Sequence, residues 1–358
     1  MPSREQLDEA VAAGVIGRAE ADRLADFLAR RESRPAQPED AEAIRFVRGF
    51  HDIFLTIGVV LLLVGVAYTT ALFAQPLASL AVAGITIPLA LYFTQRRRLT
   101  LPSIALSLAF GLSLGYLAAT LGLSVAIAAF PALFSPPAGV GEDRLGTLFF
   151  ASAAAVASLG YYLYFRLPFT LGQTAAALTV ALWFLTAVLV PDSVEAWTTQ
   201  LFLIVGVITF AAAMSYDLRD PGRHTRLADC AFWLHLAAAP MIVHSAVGFV
   251  WTADQASLSL GDAFGTVALI AALAIVALVI DRRAILVAGL TYFGVALFAI
   301  IRQTGLDNAS VTALTVLGLG AALLLLGVGW RRTRHAVVSH FVPGALARRL
   351  PNAEPEPA

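Results

Sequence analysis

Histidine is the side chain best suited to moving protons or ligating metals near neutrality. Two of the six histidines in this 358-residue chain, His235 and His244, lie inside one apolar run, ADCAFWLHLAAAPMIVHSAVGFVW. On a helix their separation corresponds to about 900° of rotation and about 13.5 Å of rise, which places them on opposite faces. Pro240 lies between them, but a kink does not undo half a turn, so a metal or proton shared by the two is excluded. Each alone could relay a proton or touch a substrate, or could be a neutral imidazole bonded to a neighbouring helix. His244 is followed by Ser245 and lies farther from the arginine-rich end of the run.

The segment leading into this run alternates in sign through Asp217, Arg219, Asp220, Arg223, Arg226 and Asp229. Pro221-Gly222 demands a turn, and Thr225 is placed to cap the incoming helix. Asp229 is expected to pair with Arg226, or with Arg282 or Arg283 from a later hairpin. Such a network is either a static lattice that fixes the loop or a gate whose ion pairs break in a transport cycle. Softer polar candidates are Gln173 with Thr170, Gln200 with Thr199, and Tyr292, any of which could line a cavity or bond across helices. No nucleophile elbow, phosphate loop, HExxH or Cys/His zinc spacing occurs, and the single Cys230 cannot form an intramolecular disulfide. Neither catalysis nor a cofactor or metal is therefore expected.

These residues sit in a chain whose composition belongs to a bilayer. Hydrophobic residues make up 59% and charged residues 13%, against about half and about a quarter in soluble domains. Mean hydropathy is +0.79. Formal charge is zero, 24 basic against 24 acidic residues, which offers nothing to nucleic acid. Every basic residue is arginine, a usage that fits a GC-rich bacterial genome.

A hydrocarbon core about 30 Å thick takes roughly 20 apolar residues per helix. Ten such runs are expected, near 53–73, 77–94, 102–130, 145–165, 168–190, 196–215, 228–251, 262–280, 284–301 and 309–330. The third is long for one span and is expected to tilt or break near Leu121 and Gly122. The first follows a polar leader without a cleavable apolar core and is read as an uncleaved signal anchor. With the N-terminus inside, the inner segments hold Arg45, Arg48, Arg96, Arg97, Arg98, Arg166, Arg219, Arg223, Arg226, Arg282, Arg283, Arg331, Arg332 and Arg334. The outer loops hold only Arg144 and Arg302, a strong positive-inside bias. The expectation is an all-α polytopic bundle of the bacterial inner membrane, with both termini cytoplasmic.

Small residues mark where helices approach. Gly111, Gly115, Ala118 and Gly122 form one face of the third run, which more often seats a neighbour of the same chain than a second copy. Gly58 with Gly65, and Gly320 with Gly327, have heptad spacing and suggest the same. Ten spans also divide into five plus five, the parity of inverted-repeat transporters, yet the visible self-similarity pairs QRRRLTLPSIAL with DRRAILVAGL, six spans apart. The interior prolines, Pro88 and Pro240, do not correspond either.

Outside the bilayer, residues 1–31 read as a small helical hairpin. Ser3 and Gln6 have capping-box spacing, Gly14 is a helix stop, and Ala21, Leu24, Phe27 and Leu28 share a face. So small a pair cannot bury enough surface alone, which makes it a cap, or a module for homo-oligomerisation or a protein partner. Residues 32–51 form a linker and juxtamembrane segment, 52–330 the membrane domain. The tail 331–358 begins basic, suited to anionic lipid headgroups at about 1 kcal/mol per arginine, and ends acidic. The hairpin LDEAVAAGVIGRAEADRLADFL followed by FHDIFLTIGVVLLLVGVAY resembles bacterial predicted-membrane-protein families of unknown function. The resemblance covers roughly residues 1–100 and implies architecture only; Gly17 departs from the Ser or Thr cap more usual there. Two functions remain open: a non-enzymatic scaffold, envelope or regulatory component, or a secondary transporter using His244 and the 217–229 loop.

Overall fold

A computed structural model describes residues 9, 11–15, 17–32, 38–131, 142–220, 225–251 and 258–341. Among them there is no strand. The chain divides into two units, Met1–Leu55 and Thr56–Ala358. In the first, Gly14 takes a left-handed conformation at φ +71, as its reading as a helix stop requires. Helix α1, Arg18–Glu32, starts with the Glu20 carboxylate accepting from the Gly17 N–H at 2.9 Å. One half of a capping box thus forms although Gly17 brings no hydroxyl. The Ser3 and Gln6 pair lies outside the described residues. Helix α2, Pro38–Ala71, begins in the acidic stretch read as a linker and continues into the first apolar run.

The second unit continues with α3 (Gln75–Ala90), α4 (Thr100–Leu117), α5 (Leu123–Ala129), α6 (Glu142–Phe165), α7 (Phe169–Leu189), α8 (Val194–Asp217), α9 (Arg226–Val250), α10 (Leu260–Ile280), α11 (Ala284–Arg302) and α12 (Asn308–Phe341). Ten helices among the described residues are long and apolar enough to cross a membrane, at the positions expected. The third is a single span, Thr100–Ala129, interrupted by a π-helical turn at Ala118–Gly122, where the break was expected. A second π-turn, Leu91–Arg96, follows Pro88. In α9 the helix is continuous across Pro240.

The arginine-rich ends are joined by tight turns. Arg98 and Arg166, both at φ 55, and Asp281 at φ 56 take the left-handed conformation that reverses the chain in three of these turns. This shared device accounts for the likeness between the segments around Arg98 and Asp281. The resulting antiparallel pairs are α3/α4, α6/α7, α8/α9 and α10/α11. At the opposite end two neighbouring joints also repeat a contact: Trp183 donates to Thr198 Oγ1, and Trp251 to Thr266 Oγ1, each at 2.9 Å. Asp307 caps α12, accepting from the Ser310 hydroxyl and the Ser310 and Ala309 amides, and these bonds hold its carboxyl below the usual range.

Helix α9 is the centre of the unit, packed on α7, α8, α10 and α11. Half of its span is buried, more than in any other span. Its residues Ala239, Val243 and Val247 form a core with Ala277, Leu278, Ile280, Ala284, Ile285 and Trp330. Close approach depends on glycine at particular points. A Cβ on Gly115 would lie 2.9 Å from the Phe150 carbonyl oxygen of α6, and one on Gly111 would lie 2.5 Å from the Gln173 amide nitrogen. The small-residue face of the third span therefore seats a neighbour of the same chain. The heptad glycines of the first and last spans do not: Gly58, Gly65, Gly320 and Gly327 meet nothing within 4 Å. Those two spans are the least buried, with only part of each turned to a neighbour. We expect Gly115→Ala to lower stability by about 1–3 kcal/mol, as overpacking does, and Gly65→Ala to leave it unchanged or slightly raised. Thermal unfolding of the purified protein in detergent checks both, and equal losses would contradict the packing described.

Candidate functional site

Asp217, Arg282 and His235 come together at the arginine-rich end of α8, α9 and the α10/α11 turn. The sign-alternating segment was read as a loop from Asp217, but Asp217 is the last residue of α8. Helical phase places it below Gly206, Thr209 and Ala213, all buried, on the face that packs α9. Asp281 turns the chain and delivers Arg282, whose own N–H donates to the Ala277 carbonyl at 2.9 Å. His235 projects from the third turn of α9, on the face of Ala231, Ala238 and Ala239.

The resulting cluster is nearly dry, with Asp217 and His235 each 1% exposed and Arg282 8%. Arg282 donates from Nε to Asp217 Oδ2 at 3.1 Å and from Nη2 to Oδ1. Its Nη2 also donates to the Ala228 carbonyl at 3.2 Å, which ties in the first turn of α9. His235 Nε2 lies 2.9 Å from Asp217 Oδ2. An ionised carboxylate only accepts, so Nε2 of the imidazole carries a proton, and the other ring nitrogen is Nδ1. That Nδ1 is buried without a partner. The Phe210 ring packs edge-on at 5.1 Å. Arginine matches one charge with one and satisfies both carboxylate oxygens, the geometry in which a buried pair offsets most of its desolvation.

This replaces the pairing expected for Asp229. Asp229 and Arg226 are exposed, with no ion pair among the described residues, while Arg282 turns to Asp217. Being in the first turn of α9, Asp229 already faces a favourable helix dipole and water. Arg283 lies over the Trp330 ring at 4.9 Å. Asp220 is buried and accepts from the Thr225 N–H and hydroxyl at 2.9 and 2.7 Å. Thr225 caps α9 as expected, accepting from the Leu227 N–H at 3.2 Å. Arg223 lies outside the described residues.

The two histidines diverge as their phase requires: His235 is buried and His244 exposed on the surface of the unit. His244 Nδ1 lies 2.5 Å from the Tyr292 hydroxyl of α11, near the Phe202 ring of α8 at 6.0 Å. Ser245 donates instead to its own helix, to the Met241 carbonyl at 2.8 Å. Gln173 donates to the Ser107 carbonyl at 3.2 Å, while its Oε1 and that of Gln200 are buried without partners. Among the described residues no three His, Cys, Asp or Glu side chains are placed to hold a metal. Two open grooves of about 560 and 480 Å³ involve neither the cluster nor His244.

Sequence reasoning missed Asp217 as a member of the site because it was read as the first residue of a loop. The available signal was the period of small residues at 206, 209 and 213, which predicts a buried face at 217. No protein-family model, curated protein or solved structure matches this chain.

Proposed function

We propose that this integral membrane protein is a non-enzymatic scaffold, envelope or regulatory component of the bacterial inner membrane, with both termini cytoplasmic. The observation that carries the reading is the Asp217–His235–Arg282 cluster, which locks three elements together at the inner end of the most buried helix. The inner histidine is committed to that lock and the outer one to Tyr292. Histidines each bonded to a side chain of a neighbouring helix suit a fixed platform.

Secondary transport is the second reading, favoured by one specific feature. A charged pair buried at the end of a span is costly, and buried ionisable groups of a membrane bundle commonly mark ion or proton pathways; here His235 Nδ1 adjoins it without a partner. The cluster, rather than the 217–229 loop, would then be the inner gate. Thermal stabilisation of the purified protein across a library of water-soluble solutes separates the readings. The scaffold predicts no saturable stabilisation by any of them; stabilisation by one solute, lost in His235→Ala, would establish transport binding instead.

A further inference from the structure

His235 is taken up by the cluster, whereas His244, bonded to Tyr292 through Nδ1, has a second ring nitrogen to place. Its helix α9 is flanked by α8 and α11, which pack on α9 but not closely on each other. Both flank the part of α9 that carries His244, which is exposed between Phe202 of α8 and Tyr292 of α11. The position is about 9 Å short of the C-terminal end of α9 at Val250, at a depth where neighbouring surface meets lipid. An imidazole there keeps hydrogen-bonding capacity that hydrocarbon cannot satisfy. Tyr292 takes up Nδ1 at 2.5 Å, whereas Nε2, across the ring, has no partner among the described residues.

The surroundings narrow what could satisfy it. Aromatic rings approach from both neighbouring helices: Phe202 from α8 at 6.0 Å, and Tyr292 from α11 at 6.1 Å, itself against Trp251 at 5.9 Å. No arginine stands on this part of α8, α9 or α11; those nearest in sequence to Tyr292 are Arg283, at the start of α11, and Arg302, at its end, about 13 and 15 Å away along the helix. A phosphate headgroup would therefore meet no countercharge. A flat ring bearing a neutral oxygen would meet aromatic faces and one hydrogen-bonding nitrogen.

We propose that this exposed face binds the headgroup of a lipid-soluble quinone, with its ring against Phe202 and Tyr292 and one ring oxygen on His244 Nε2. The His244–Tyr292 pair serves both oxidation states of such a ligand. When the tyrosine hydroxyl donates to Nδ1, Nε2 carries the proton and donates to a quinone carbonyl. When Nδ1–H donates to the tyrosine oxygen, Nε2 offers its lone pair to a quinol hydroxyl. The inference is of binding only and assigns no electron transfer to the protein.

The test uses the full chain in phosphatidylcholine nanodiscs, titrated with decylubiquinone while the unfolding midpoint is followed. Decylbenzene, which has the tail and a ring but no oxygens, and short-chain phosphatidylglycerol are titrated in parallel. Saturable stabilisation by decylubiquinone alone is expected, at least tenfold weaker in His244→Leu and substantially retained in His244→Gln, which keeps an amide to hydrogen-bond the ring oxygen. Phe202→Ala, which leaves the histidine in place, is also expected to weaken it. The proposal is overturned by absence of saturation, by equal stabilisation with decylbenzene or phosphatidylglycerol, or by unchanged binding in the His244→Leu and Phe202→Ala variants.

Discussion

Replacing Asp217 with alanine is expected to lower stability by about 3–5 kcal/mol, the cost of breaking a buried ion pair by removing one member. Among the described residues the carboxylate is the only partner of the buried His235 Nε2, and it takes both Nε and Nη2 of Arg282. Without it, Arg282, a residue 8% exposed, keeps only the Ala228 carbonyl among the described residues. The measurement can be local as well as global, because Cys230 is the single cysteine, is 3% exposed and lies in the first turns of the same helix. Its thiol makes a 3.8 Å contact with the Tyr162 hydroxyl. Maleimide labelling of Cys230 should therefore be slow in the native protein and much faster in Asp217→Ala. Replacing all three members with apolar residues, Asp217→Leu with His235→Leu and Arg282→Met, should restore most of the lost stability, since no charge is then left without a partner. Wild-type melting and labelling in Asp217→Ala would show that the cluster does not hold the helices.

Gly172→Leu is expected to be the most damaging uncharged change, at the upper end of the 1–3 kcal/mol range of overpacking or beyond it. A Cβ at Gly172 would stand 2.8 Å from the Trp233 carbonyl oxygen, and that neighbour is backbone. No rotamer change can make room, so α7 and α9 must separate. Trp233 lies two residues before His235 and its ring packs edge-on to Phe169 at 4.8 Å, so the displacement also shifts the turn that carries the cluster. Gly160→Leu is the control, because a Cβ there meets nothing within 4 Å. Gly172→Leu should show a lower unfolding midpoint and faster Cys230 labelling, and Gly160→Leu neither. Similar midpoints for the two would refute the close approach of α7 and α9.

Both expectations rest on residues that a linear reading weighs differently. Gly172 carries no signature in sequence, since one glycine among 27 is indistinguishable until the facing carbonyl is known. Gly115 was legible because it recurs with Gly111 and Gly122 on one face, and the structure finds α6 against that face. The same argument failed for Gly65 and Gly327. Periodicity identifies a face that could accept a neighbour, but whether a helix lies at the centre or the edge of the bundle decides whether one is there.

The ten spans were determined by sequence alone, because the bilayer requires a length and polarity that each segment must meet by itself. The break near Gly122, the cap at Thr225 and the opposite faces of His235 and His244 were likewise local consequences of helical geometry. The partner of Arg282 was decided only by tertiary structure. Asp229 and Asp217 are both acidic, both at helix ends and both within reach of an extended reading of the chain. What separates them is that α8 and α9 pack with Asp217 turned inward and Asp229 turned to water. A buried arginine must take the carboxylate that is buried with it, and only the packing of three helices determines which one that is.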